Sequence, residues 1–182
     1  MEHPGEIWQE YDFNGERLGG IEPTDHIGDD VKLYGAVAIM LYRFNNGKVE
    51  FLFQHRSEAL KSNPGMWDVS AGGHINLNEP RIVSAIRETK EEIGVNLDAK
   101  NLEFAITYIR FKIFNTLFFY DYTDCDDDFS FDDEEVSEVK WISEDELEDF
   151  WPSLKRHLDE DVIFSNFIKE QIEKTKLKYG NN

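Results

Sequence analysis

The chain of 182 residues carries a net charge of −19, because 38 acidic residues outnumber 19 lysines and arginines. This charge excludes an extended nucleic-acid surface, since phosphate backbones are bound by clusters of lysine and arginine. A hydrophobic fraction of 40% is enough to bury a core, so one folded domain is predicted. The single cysteine, Cys125, excludes an intramolecular disulfide and is typical of a reducing compartment.

Neither a signal peptide nor a membrane span is predicted. The N-terminal residues carry no basic segment and no apolar run, and no apolar stretch has the length of a membrane helix. We therefore expect a cytoplasmic protein with no nucleic-acid and no membrane partner.

Two β-hairpins are predicted in the first third of the chain. Asn-Gly between apolar runs is a strong hairpin signal, because both residues accept a positive φ. The first hairpin joins Ile7–Phe13 to Glu16–Ile21 through Asn14-Gly15, and the second joins Leu33–Phe44 to Val49–His55 through Asn45-Asn46-Gly47. Pro23–Asp30 is predicted to be a loop.

A helix is predicted from about Pro80 to Gly94. Asn78-Glu79-Pro80 is typical of a helix start, and a glycine ends a helix in the left-handed conformation. An apolar stripe at three- and four-residue spacing is expected to face the core: Ile82, Ala85, Ile86, Thr89 and Ile93.

Three glutamates of this helix, Glu88, Glu91 and Glu92, stand at i, i+3 and i+4 and are expected to share the opposite face. Like charges so placed repel, and no lysine on that face relieves them. Because carboxylate oxygens are the ligands of hard cations, the pattern favours a site for Mg²⁺ or Mn²⁺. Arg87 is expected to pair with Glu79 and to hold the preceding loop onto the helix.

The second half of the chain predicts further strands and a last helix. The strands are Phe104–Phe111, Asn115–Tyr122 and Val139–Ile142, with an acidic loop at Asp124–Glu135. Ser143 and Glu146 form a capping box that predicts a helix from Glu144. Asp159–Tyr179 is predicted to be helical, with an apolar stripe at Val162, Ile163, Phe167, Ile168 and Ile172. Strands mixed with helices indicate an α/β fold.

The segment Gly73–Val95 resembles the Nudix box, with Thr89 where an aliphatic residue is more usual. The resemblance extends upstream through His55-Arg56-Ser57 and Pro64–His74, and there the chain looks like the branch that includes isopentenyl-diphosphate isomerases and their hydrolase relatives. It covers roughly residues 6 to 150. It implies an α/β/α sandwich with a mixed sheet, an N-terminal hairpin and a C-terminal helix. One Nudix domain is then expected over residues 1–182, with the hairpin and a loop in 1–30, the core in 31–150 and a helical extension in 151–182.

The resemblance also implies the site residues. Glu88 is expected to be the base or a bridging metal ligand, with Glu91, Glu92 and the carbonyl of Gly72 as further ligands. Gly73, Glu79, Arg87 and Gly94 are expected to shape the motif. One acid of the downstream loop, Glu134, Glu135 or Glu138, is expected to complete the site, and Glu135 is preferred as a catalytic residue. Arg56 and His74 are candidate contacts to substrate phosphates.

The predicted function is metal-dependent cleavage of a phosphoanhydride, by water attack on phosphorus, in a nucleoside diphosphate linked to another moiety or in a related organic diphosphate. The partner is then a small diphosphate, and the sequence leaves room for a homodimer. One alternative is an isomerase-like enzyme, but that resemblance requires a cysteine and a histidine where this chain has Gly72 and Tyr34. The other alternative is a binding module without activity, although such relatives typically lose box carboxylates and none is lost here.

Overall fold

The structure is a computed structural model that describes residues 6–22, 32–131, 135–154 and 162–180. Its strands are β1 Trp8–Tyr11, β2 Arg17–Ile21, β3 Leu33–Asn45, β4 Lys48–Arg56, β5 Trp67–Asp68, β6 Ala71–His74, β7 Leu102–Arg110, β8 Ile113–Asp121 and β9 Val136–Ser143. Its α-helices are α1 Arg81–Ile93, α2 Leu147–Phe150 and α3 Val162–Tyr179. The predicted loop Pro23–Asp30, the start of the predicted last helix at 159–161 and the candidate Glu134 lie outside the described residues.

Strand β3 is the organising strand of a mixed sheet. One of its edges pairs with β8 in parallel from Tyr34 to Tyr42. Its other edge pairs in antiparallel order with β1, then β6, then β4. Strand β4 carries β9 and β5, and β7 pairs with β8. This mixed topology confirms the predicted sheet.

The two faces of the sheet carry separate apolar cores, because successive side chains of a strand point to opposite faces. On one face Ile39, Leu41 and Leu52 pack with Ala85 and Ile93 of α1. On the other face the strands pack with α2 and α3, through Met40, Phe51, Phe53, Leu147, Phe164 and Ile168. The α/β/α sandwich is therefore confirmed.

Both predicted hairpins are present, and a third tight turn was not anticipated. In the β3–β4 turn Asn46 and Gly47 have φ of 50° and 80°. The β7–β8 turn uses Phe111 and Lys112 with φ of 51° and 65°, although neither residue is glycine or asparagine. The prediction that β7 runs to Phe111 was therefore wrong by one residue, because turn chemistry gave no signal there.

The predicted helix start at Glu144 was also wrong, since α2 begins at Leu147. One half of the capping box forms, because the Glu146 carboxylate accepts hydrogen bonds from the amide and hydroxyl of Ser143, whereas the amide of Glu146 donates to the carbonyl of Ser143. Glu144, however, donates its amide to the carbonyl of Val49, so the chain still follows β4 at that residue. Strand β9 likewise begins at Val136, three residues before the predicted start.

The buried stripe of helix α3 overlaps the predicted one only in part, since Ile168 is buried and Phe167 and Ile172 are partly buried against the core. Its buried residues are Phe164, Ile168, Gln171 and Thr175, whereas Val162 is 70% exposed. The apolar pattern could not predict the burial of Gln171 and Thr175, because these two residues face the sheet although they are polar. Among the described helices, none is long and apolar enough to cross a membrane.

We expect Phe164→Ala to lower the free energy of unfolding by about 3–4 kcal/mol, because it leaves a cavity between α3 and the sheet. Val162→Ala, two residues earlier on the exposed side, should change it by no more than about 0.5 kcal/mol. Urea unfolding of both variants measures the difference. Equal effects would contradict the docking of α3 through Phe164.

Candidate active site

Helix α1 is placed as the sequence predicts. Gly94 ends it with a φ of 76° and donates its amide to the carbonyl of Lys90. Thr89 is fully buried, and its hydroxyl donates to the carbonyl of Ala85 at 2.7 Å, which satisfies the polar group inside the core. The helix therefore tolerates threonine where the resemblance suggests an aliphatic residue.

The predicted pair between Arg87 and Glu79 forms. The guanidinium donates to both oxygens of Glu79, at 3.1 and 3.0 Å, and to the carbonyl of His74 at 2.9 Å. Glu79 also accepts from the hydroxyl of Ser84 and the amide of Asn76. Burial opposes ionisation of Glu79, but these hydrogen bonds and the charge of Arg87 prevail and lower its pKa. The loop after β6 is thus fastened to α1.

The same arginine relieves part of the expected repulsion between the glutamates. Its Nη1 donates to Glu88 at 2.8 Å and to Glu91 at 2.9 Å. No lysine relieves that face, as expected, but the sequence analysis paired Arg87 with Glu79 alone and did not predict its bonds to Glu88 and Glu91. A guanidinium has five donors in a fork, which allows it to bind three carboxylates at once.

Glu92 was expected to share a helix face with Glu88 and Glu91. It lies in the interior instead. It is 3% exposed, and its Oε2 accepts the amide of Gly72 at 2.8 Å and the side-chain amide of Gln54 at 3.1 Å. Burial raises the pKa of Glu92 well above its usual value, and the charges of Glu88, Asp68 and Glu135 raise it further. Ionisation of the Glu92 carboxyl group is therefore unfavourable.

Glu88 lies directly against the backbone of Gly73. A Cβ on residue 73 would be 2.4 Å from the carboxyl carbon of Glu88, so only glycine permits this approach. Burial raises the pKa of Glu88 to about 7, although the charge of Arg87 acts in the opposite direction. A carboxyl group that titrates near neutral pH in such a setting is a candidate acid or base.

The glutamates are neighbours, but they do not form a closed cage. Among the described residues, no group of three or more histidine, cysteine, aspartate or glutamate side chains is already arranged as a set of metal ligands. The physical reason is that Glu88 and Glu91 turn to Arg87, while Glu92 turns to Gly72 and Gln54.

The candidate substrate contacts, Arg56 and His74, both make contacts within the protein. Arg56 donates to the carbonyl of Ser62 and lies 3.5 Å from the carboxylate of Asp68. The ring of His74 stacks on Trp8, with centroids 3.6 Å apart.

The preferred downstream acid, Glu135, lies directly before β9. Its carbonyl accepts the amide of Ser57, and its charge raises the pKa of Glu92. Glu138 lies further along β9, opposite His55 in the register of β4 and β9, and is exposed.

The sequence analysis missed two contacts of the segment Gly73–Val95, one from Gln54 and one from the N-terminal hairpin. Gln54 was overlooked, although a lone glutamine between Phe53 and His55 in an apolar strand is a signal for a buried polar role. The N-terminal hairpin was not connected with the site either. Gln9 accepts the amide of Asn78, and Arg17 donates to the carbonyl of Glu79 at 2.6 Å.

Comparison with known proteins agrees with this architecture. The family profile described as NUDIX domain matches residues 32–162, well over half of the chain, so the chain belongs to the NUDIX domain family. It is 29% identical over 149 residues to Nudix hydrolase 3 of Arabidopsis thaliana, which covers 75% of this chain and 19% of that protein. It spans between half and two thirds of the length of matching bacterial relatives.

Solved structures share the fold. DR0079 from Deinococcus radiodurans superposes with a TM-score of 0.68 at 20% identity, over 90% of this chain and 98% of that one. The NUDIX domain of Shewanella oneidensis NrtR, complexed with ADP ribose, superposes with a TM-score of 0.58 at 16% identity, over 83% of this chain and 93% of that one.

We expect Glu79→Ala to destabilise the metal-free protein by about 2–3 kcal/mol, because it leaves the half-buried Arg87 without its bidentate partner. Glu91→Ala is the matched control. Glu91 pairs with the same arginine but is 53% exposed, so its loss should cost less than about 1 kcal/mol. Chemical denaturation of both variants measures this, and a costlier Glu91→Ala would refute the clamp.

We expect Glu88→Gln to stabilise the metal-free protein relative to wild type increasingly as pH rises from 5 to 8. The pKa of Glu88 is about 7 in the folded state, above its unfolded value, so wild type loses stability as pH rises through 7. The difference should reach about 2 kcal/mol at pH 8. Unfolding curves in chelator at several pH values measure it, and a difference that does not vary with pH would contradict the raised pKa.

Proposed function

We propose that this chain is a hydrolase that uses Mg²⁺ or Mn²⁺ to cleave the phosphoanhydride of a nucleoside diphosphate linked to another moiety, or of a related organic diphosphate. The observation that carries the proposal is the pair of glutamates, the half-buried Glu88 and the buried Glu92, held against the glycine backbone of β6. Membership of the NUDIX domain family supports the same reaction class.

The donor set fits a hard divalent cation. Glu88 and Glu91 each accept a hydrogen bond from Arg87 on one oxygen, which leaves the second oxygen available to a cation. Both hydrogen bonds to Glu92 are accepted by Oε2. The side-chain oxygen of Gln54, next to Glu92, is buried and has no hydrogen-bond partner among the described residues. Carboxylates so placed are hard ligands that leave room for water and phosphate. We therefore propose Glu91 and Glu92 as ligands, and Glu88 as a third ligand or, instead, as the base.

The carbonyl of Gly72 is the fourth proposed ligand. The amide of Gly72 donates a hydrogen bond to Glu92. In an antiparallel ladder the N–H and C=O groups of one residue point to the same side of the strand. The carbonyl of Gly72 is therefore expected on the side of Glu92.

The protein groups supply binding and proton transfer. When bound, the cation would polarise the phosphoryl oxygens and lower the pKa of a water. A water oxygen bonds to phosphorus, its proton passes to Glu88, and the P–O bond to the leaving group breaks. Two phosphorylated products result, or one together with phosphate. Glu135 is the alternative base, and Arg56 and His74 are proposed phosphate contacts.

The substrate class follows from the family and not from a pocket. The Shewanella NUDIX domain is complexed with ADP ribose, which is a nucleoside diphosphate linked to a second sugar. An isomerase that requires a cysteine at residue 72 fits less well. A Cβ on that residue would lie 2.7 Å from the carbonyl oxygen of Val37, which is backbone and cannot turn aside.

The test is a release assay for phosphate or nucleoside monophosphate with Mg²⁺ and with Mn²⁺. The panel should include nucleoside triphosphates, ADP-ribose, dinucleotides, CDP-alcohols and isoprenyl diphosphates. Turnover of an isoprenyl diphosphate without phosphate release would favour the isomerase, and ligand binding without any turnover would favour the binding module.

On the best substrate, we expect Glu92→Gln to reduce kcat/KM at least about 100-fold, because the variant keeps the shape but loses a ligand charge. Glu170→Gln, on the exposed side of α3, should retain wild-type activity. Millimolar Mg²⁺ or Mn²⁺ should raise the melting temperature of wild type more than that of Glu92→Gln. Activity that survives chelator, without any thermal shift, would refute the metal site.

A further inference from the structure

Gln54 lies beside the glutamates and has no role in the proposed reaction. It lies in β4, 1% exposed, and alternation along the strand places it on the same face as Leu52, toward α1. Its Nε2 donates to Oε2 of Glu92 at 3.1 Å. Its Oε1 is buried and accepts no hydrogen bond from any described residue.

A buried amide oxygen without a donor is costly, and native proteins rarely contain one without a reason. Turning the amide over does not help, because it would set an oxygen against the carboxylate of Glu92. The amide orientation is therefore fixed by Glu92, and the unpaired oxygen is fixed with it.

The other buried glutamines differ from Gln54. Gln9 uses both ends of its amide, since Nε2 donates to the carbonyls of Glu10 and Gly19 while Oε1 accepts the amide of Asn78. Gln171 lies in α3, on the other face of the sheet. Among described buried side chains, the only other polar atom without a hydrogen-bond partner is the hydroxyl oxygen of Tyr11. The ring of Tyr11 stacks on Phe114.

We propose that Gln54 is a positioning residue of the cation site, whose Nε2 fixes Glu92 and whose Oε1 accepts a hydrogen bond from a water in the hydration shell of the cation. Mg²⁺ keeps several waters when it binds to proteins, so such a donor is expected next to Glu92. The inference rests on the proposed function, because it requires that a cation binds at Glu92.

The first test is the Mn²⁺ affinity of Gln54→Met, measured by calorimetry on the full chain without substrate. The variant keeps the length of the side chain and removes both polar atoms. We expect Mn²⁺ to bind about 10- to 100-fold more weakly, as for other residues that orient metal ligands. The melting temperature of the metal-free variant should change little, because the lost hydrogen bond to Glu92 is offset by removal of the unpaired oxygen. Gln171→Met is the matched control and should bind Mn²⁺ as wild type does.

The second test uses the wild-type chain and does not depend on a variant of Gln54 folding. Gln9, Gln54 and Gln171 are the only glutamines, so ¹⁵N-glutamine labelling gives three side-chain amide signals. Gln9→Met and Gln171→Met assign them. Saturating Mg²⁺ should shift the Gln54 signal and leave the Gln171 signal unchanged.

The outcomes separate the two proposals. If wild type binds the cation but the Gln54 signal does not move, or if Gln54→Met binds Mn²⁺ within twofold of wild type, the role of Gln54 is refuted and the proposed function stands. If wild type binds neither cation, both are refuted.

Discussion

The close approach of α1 to β6 is the constraint on which the site depends. Two consecutive residues of β6 carry no side chain, and the carboxyl group of Glu88 on α1 occupies the space that a side chain at Gly73 would fill. Glu88 lies against Gly73, and Glu92 binds the amide of Gly72. Two acids therefore lie in a place where ionisation is unfavourable, and the surrounding structure has to hold them there.

Arg87 and Gln54 hold this arrangement from opposite sides. Arg87 joins Glu79, Glu88 and Glu91 and also binds the carbonyl of His74, so one guanidinium fixes both the loop and the helix. Gln54 reaches Glu92 from the sheet below. Positive charge is thus supplied on the solvent side only, while the deeper acid has neutral partners, and this asymmetry explains why burial dominates the pKa of Glu92.

The sequence predicted the parts of this structure that depend on local chemistry. The Asn-Gly turns, the cap at Gly94 and the Glu79–Arg87 pair follow from spacing and backbone preference, and all are present. Spacing along a helix did not predict which carboxylate would be buried, because that depends on Gln54 and Gly72 in other strands. Gln171 and Thr175 misled the apolar pattern of α3 for the same reason.

The loop between β6 and α1 is held by backbone hydrogen bonds on the side opposite to Arg87. Gln9 donates its amide to the carbonyl of Ile75, and Leu77 donates its amide to the carbonyl of Ile7. The loop therefore behaves as an inner strand, and its amide hydrogens belong to the slowly exchanging part of the molecule. Moving this loop away from the sheet would break these hydrogen bonds as well as those between Arg87 and Glu79, so the loop is among the less easily opened parts of the site.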